Sequence, residues 1–146
     1  MAEPTPQTYA NHTRWVPLYH FVGAPIFLLN LVWAVYRLVT DLSADTAIGA
    51  LLALALLVTF FCARTFALSA QDRVIRLEER LRMRELLPDD LQARIDDFTT
   101  SQLIALRFAS DAELPDLARQ VLAESITSRK AIKERIQTWR PDYQRV

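Results

Sequence analysis

The sequence predicts an all-α membrane protein: a two-helix transmembrane hairpin whose second helix extends into a small cytosolic helical bundle. Three observations carry this. Residues 18–39 and 46–68 are apolar, with six residues between them, and each stretch meets the roughly 20 residues that a bilayer core demands. No helix breaker falls between Gly49 and Pro88, so the second stretch is expected to leave the membrane as one continuous helix. Beyond Pro88 the apolar residues recur at helical spacing and nothing reads as a strand. The resulting division is an N-terminal cytoplasmic segment over 1–15, the hairpin over 16–68, a stalk helix over 69–87 and a cytosolic lobe over 88–146.

Each element has its own local reasons. The first ten residues carry Pro4 and Pro6 and read as disordered until Tyr9. Trp15 and Tyr19 fit an interfacial aromatic belt at the entry of the first span. Pro17 and Pro25 predict a kinked or stepped entry, because proline removes a backbone donor and crowds the preceding turn. An export signal is the weaker reading of this stretch. Only Arg14 precedes it as a full positive charge, and the apolar run exceeds the usual signal core.

Arginine placement sets the expected orientation. The connector holds Asp41 and Asp45 and no basic residue, whereas Arg64, Arg73, Arg76, Arg80, Arg82 and Arg84 accompany the end of the second span. The positive-inside rule then puts both termini in the cytoplasm. Arg37 is the dissenting charge, placed to snorkel to the outer interface.

On the stalk, Ala67, Ala70, Val74, Leu77 and Leu81 alternate spacings of three and four and draw one seam. The seam covers about two heptads where a coiled coil usually needs three or four, so packing by the chain's own C-terminal helices is favoured over self-association. In the lobe, Thr99 to Ser101 are placed to cap a helix over 102–109, and Ser110 with Glu113 has the form of a capping box. Thr127 and Ser128 are placed to cap a last helix reaching Trp139, with Ile132, Ile136 and Trp139 in phase.

Composition narrows the function classes. Seventeen basic and seventeen acidic residues balance to a net charge of zero, and the basic residues are interleaved with acids, so no nucleic-acid partner is expected. The single cysteine, Cys62, cannot form an intrachain disulfide. His12 and His20 stand eight apart without ligands at metal spacing. The only glycines, Gly23 and Gly49, make no phosphate loop, and no serine sits in a hydrolase elbow. Neither an enzyme nor a cofactor is expected.

Several blocks carry a resemblance: Tyr9-x-Asn11-His12-x-Arg14, Pro17-x-x-His20-Phe21, Ala63-Arg64-x-Phe66-Ala67, the run from Gln71-Asp72-Arg73 to Leu81-Arg82, Gln102-x-Ile104-Ala105-Leu106-Arg107-Phe108-Ala109-Ser110-Asp111, and Trp139-Arg140-x-Asp142-Tyr143. Together they resemble a family of small bacterial membrane proteins known as a domain of unknown function. The resemblance implies a two-span protein of the bacterial inner membrane and no activity.

Pairing residues at equal depth across a turn near Ser43 brings His20 level with Phe66 and its neighbour Arg64, and His12 and Arg14 near Gln71 and Asp72. His12, Arg14, His20, Arg64, Gln71 and Asp72 form the candidate contact for a ligand or lipid headgroup, with Asp72 placed to hold Arg14 or His12. Tethering of the N-terminal segment to the stalk is the plainer role for the same side chains. Asn30 lies near mid-bilayer opposite Leu56, where an amide without a partner costs on the order of 1 to 2 kcal/mol. It is the candidate oligomer contact. The expected function is a non-enzymatic membrane module that mediates association with itself or with a membrane protein partner through its cytosolic helices. The alternative is a channel or lipid-binding assembly of several hairpins.

Overall fold

The computed structural model describes residues 7–9, 11 and 15–143. The chain divides into two compact units, Arg14–Leu68 and a second built from Met1–Thr13 with Ser69–Arg145. Among the described residues the fold is all-helical, and the one β-type pairing is an isolated bridge between Ala109 and Trp139.

In the first unit a π-helical turn, Leu18–Gly23, runs directly into α1, Ala24–Thr40. The stepped entry expected between Pro17 and Pro25 takes this form: the Ala24 N–H reaches back to Tyr19 O, and Pro25, with no N–H, falls in the first turn of α1. Gly23 meets a close approach, since a Cβ there would lie 2.8 Å from Phe60 Cε2 and the ring would have to shift. After Thr40 the chain reverses and starts α2, Ala44–Leu86. Ser43 caps this helix: its Oγ accepts from Thr46 N at 3.3 Å, while Thr46 Oγ1 accepts from Ser43 N at 3.1 Å and donates to Asp41 O at 2.6 Å. The two helices run antiparallel, with the Tyr19 ring stacked on Phe60 at 4.1 Å and Phe27 at 5.0 Å from the same ring.

The second unit contains the remainder of α2, then α3, Asp89–Gln92, a 3-10 turn, Ile95–Asp97, and the helices α4, Thr100–Leu106, α5, Leu114–Ala123, and α6, Arg129–Lys133. Pro88 ends α2 and adopts an extended conformation before α3. Thr99 and Gln102 form a reciprocal capping box at α4, Thr99 Oγ1 accepting from Gln102 N at 3.2 Å and Gln102 Oε1 from Thr99 N at 2.8 Å. α4 packs on α5 and α6. Leu103, Leu106, Phe108, Leu114, Val121 and Ile132 are fully enclosed, with Met83 and Leu87 of α2 in the same core.

Four expectations need correction. The stalk seam does not face the lobe: Val74, Leu77 and Leu81 are 54%, 61% and 51% exposed, while Ile75, Glu79, Met83 and Leu87 are the buried positions. A stripe at spacings of four outranks the three-four seam because its larger side chains extend past Pro88 to Leu91, into the same cluster. The Ser110–Glu113 box is only half formed. Ser110 Oγ accepts from Glu113 N at 3.3 Å, but the Glu113 carboxylate accepts from Gln137 N at 2.8 Å and Thr138 N at 3.0 Å. The last helix ends at Lys133 rather than reaching Trp139, because Glu113 captures those two N–H groups and the bridge bonds Ser110 N to Thr138 O and Arg140 N to Phe108 O claim the next turn. Trp139 still docks on the core, its ring 4.9 Å from that of Phe108. Of the stretch expected to be disordered before Tyr9, residues 1–6 lie outside the described residues, and Gln7 is ordered, its Oε1 accepting from Asp142 N at 2.9 Å.

Replacing Glu113 with Ala removes the acceptor that holds residues 137 and 138, and is expected to lower the unfolding free energy by about 1 kcal/mol. Glu124→Ala, which removes only an exposed partner of Arg135, should change it by less than about 0.5 kcal/mol in the same denaturant titration.

Candidate functional site

Ile75, Glu79, Met83 and Leu87 occupy one face of α2 at intervals of four, so a carboxylate is carried into the lobe on an otherwise apolar stripe. Burying such a group is costly unless charge and hydrogen bonds answer it. Arg82, one turn on, provides the answer: Nη1 donates to Glu79 Oε2 at 3.1 Å, Nε to Asp111 Oδ1 at 2.9 Å and Nη2 to Ala109 O at 2.7 Å. Arg140 Nη1 stands 3.6 Å from Glu79 Oε1. Beside them, Arg107 Nε lies 3.1 Å from Asp142 Oδ2, and its guanidinium carbon is 4.4 Å from the centre of the Phe108 ring.

These groups border an open groove of about 790 Å³ whose walls include Glu78, Glu85 and Tyr143. Its three arginines each stand against a carboxylate. The arrangement is therefore suited to latching the segment around Asp142 onto α2 rather than to presenting a bare cation. Burial pushes the Glu79 carboxyl above its ordinary value of 4.5, against the opposing pull of Arg82, Arg140 and Arg107. Among the described residues no group of three or more His, Cys, Asp and Glu could hold a metal ion.

The residues singled out from sequence fall in both units. In the first, Tyr19 stands beside both His20 and Arg64: the His20 ring is 5.1 Å from it and the Arg64 guanidinium carbon 5.6 Å from its centroid. His20 Nδ1 lies 2.9 Å from Val16 O, and its ring meets Trp15 edge-on at 5.0 Å. Asn30 borders a groove of about 390 Å³ together with Trp33, Arg37, Asp45 and Thr46. Among the described residues no hydrogen bond reaches its amide.

In the second unit Gln71 is half-buried, and Asp72 meets Arg129 at 3.8 Å. His12 and Arg14 lie outside the described residues. Of the described N-terminal residues, Gln7 Oε1 accepts from Asp142 N at 2.9 Å and Tyr9 Oη donates to Glu134 Oε1 at 3.3 Å.

The Glu79 cluster was not singled out from sequence. The signal that finds it is the interval of four joining Ile75, Met83 and Leu87.

The fold and these sites define an all-helical protein with two helices, Leu18–Thr40 and Ala44–Leu86, long and apolar enough to cross a membrane. Its family follows from the sequence as a whole: residues 1–146 match the model described as "Family of unknown function (DUF6526)", and the chain belongs to that family. No curated protein and no solved structure matches it.

A raised carboxyl pKa means that the folded state binds the Glu79 proton more tightly than the unfolded chain does. The stabilisation this provides is complete below about 4.5 and is lost as pH rises through the raised value. Thermal unfolding of the full chain in detergent should therefore show a stability decline over that interval which Glu79→Gln lacks. Superimposable pH profiles of the two proteins would contradict the assignment.

Proposed function

We propose that the chain is a non-enzymatic integral membrane module, anchored by its two apolar helices and associating with itself or a membrane protein partner through its cytosolic helices. One observation carries the reading. None of the most apolar window of the first helix and 11% of that of the second is buried by the chain itself, while the second unit encloses a core of its own. Large apolar surfaces of this extent need a cover other than water, and lipid supplies it at the matching helix length. In the bacterial inner membrane, the arginines after the second span place both termini in the cytoplasm and the Asp41–Asp45 turn outside. Trp15 and Tyr19 then stand at the cytoplasmic interface, with Arg64 within reach of lipid phosphate.

A second reading, a channel or lipid-binding assembly of several hairpins, is favoured by one feature, the groove bordered by Asn30, Arg37, Asp45 and Thr46. An amide near mid-bilayer without a partner invites a contact from another chain.

The two readings part in one experiment. In lipid nanodiscs the full chain is expected to associate, and exchange of residues 18–68 for an unrelated two-span hairpin should preserve that association while exchange of residues 69–146 for an unrelated soluble domain abolishes it. Association that follows the native hairpin instead would move the function to the spans. A reporter fused after Val146 should be active only in the cytoplasm.

A further inference from the structure

Beyond Leu68, α2 carries two apolar faces, and the lobe covers one. Ile75, Met83 and Leu87 are 5% exposed or less, whereas Val74, Leu77 and Leu81 on the other side are more than half exposed. We propose that the uncovered face is a parallel two-stranded seam that docks the same face of a second copy of this chain. The inference rests on the membrane reading above, which sets both copies in one bilayer with the same orientation and so makes the pairing parallel and in register.

The spacing and the charges argue for a second copy over other occupants. Ala67, Val74 and Leu81 fall seven apart, with Ala70 and Leu77 three residues after the first two. This is the repeat that keeps a seam facing its partner along a left-handed pair of helices. Position 84 would continue the seam and is Arg84, which ends it. In a parallel pair, the residue before each core position seven apart meets, on the other strand, the residue five further on. Arg73 thus meets Glu78 of the second copy, and Arg80 meets Glu85 of the second copy.

The signs are opposite at both places, and two-fold symmetry makes each pair twice. Arg73, Glu78 and Glu85 are exposed, and among the described residues none of them has an ion pair within its own chain. Arg80 holds Asp96 at 3.0 Å, but Asp96 is itself 85% exposed, so that contact is easily exchanged.

Two heptads do not hold free helices together in water. Here α2 is already helical, so no nucleation cost is added, and anchorage in one membrane raises the effective concentration of one stalk near another.

The test uses the full chain with Cys62→Ala in lipid vesicles, carrying Leu77→Cys on the seam or Arg76→Cys on the flank as its single thiol. Oxidation should join the Leu77→Cys copies about tenfold faster than the Arg76→Cys copies, because only seam positions face their own counterpart. In the native sequence, Arg73→Glu and Glu78→Arg should each weaken the dimer roughly tenfold, since each replaces two attractions with two repulsions, and the combined Arg73→Glu and Glu78→Arg chain should recover it to within about twofold.

Equal oxidation rates, or a double variant no better than the single ones, overturn the seam. Association that persists untouched by either reversal overturns it while leaving the proposed function standing. A chain monomeric in lipid overturns it together with the self-association half of that function, and a chain recovered outside the vesicles removes the membrane reading as well.

Discussion

Apolar side chains between Leu18 and Leu68 have little of their own chain to cover them: Leu18, Leu29, Ile48, Leu51 and Phe66 all stand more than half exposed. In water each would cost on the order of 1.5 to 3 kcal/mol relative to a buried position. That surface is the constraint from which the rest follows. On the proposed reading lipid covers it, and part of it is carried by α2, the helix Ala44–Leu86.

The second unit meets a different requirement. It encloses its own core, and its C-terminal segment, which has no long helix to hold it, is fastened by carboxylates. Glu113 binds two consecutive backbone N–H groups, and Asp142 lies against Arg107 while its own backbone N–H is received by Gln7. Arg140, on the same segment, approaches Glu79. The segment therefore bonds α2, the residues following α4 and the N-terminal residues within one unit.

Three helix limits were legible because they depend on local chemistry: the turn near Ser43, the stop at Pro88 and the cap at Thr99 are each set by residues a few positions apart, whereas the ends of α4 at Leu106 and of α6 at Lys133 were not. The faces of the stalk were less legible. Val74–Leu77–Leu81 and Ile75–Met83–Leu87 are both apolar, and choosing between them requires knowing where Leu91 and Leu103 come to lie, which is long-range information. Glu113 was misread as a cap and Glu79 passed over for a related reason: the capture of a carboxylate by residues such as Thr138 or Arg140 depends on the folded path of the chain. Of the candidate site, depth matching set His20 level with Phe66 and Arg64, and the structure places His20 and Arg64 each beside Tyr19, whereas the Asp72 pairing with Arg129 spans 57 residues and no local signal announces it.

What covers the first unit can be measured directly at Trp33, which is 60% exposed on α1. With Trp15 and Trp139 replaced by Phe, Trp33 is the one remaining tryptophan of the three in the sequence. In vesicles whose acyl chains carry bromine, its fluorescence should be strongly quenched and insensitive to aqueous iodide. Quenching by iodide with no effect of the brominated lipid would show that water surrounds this helix.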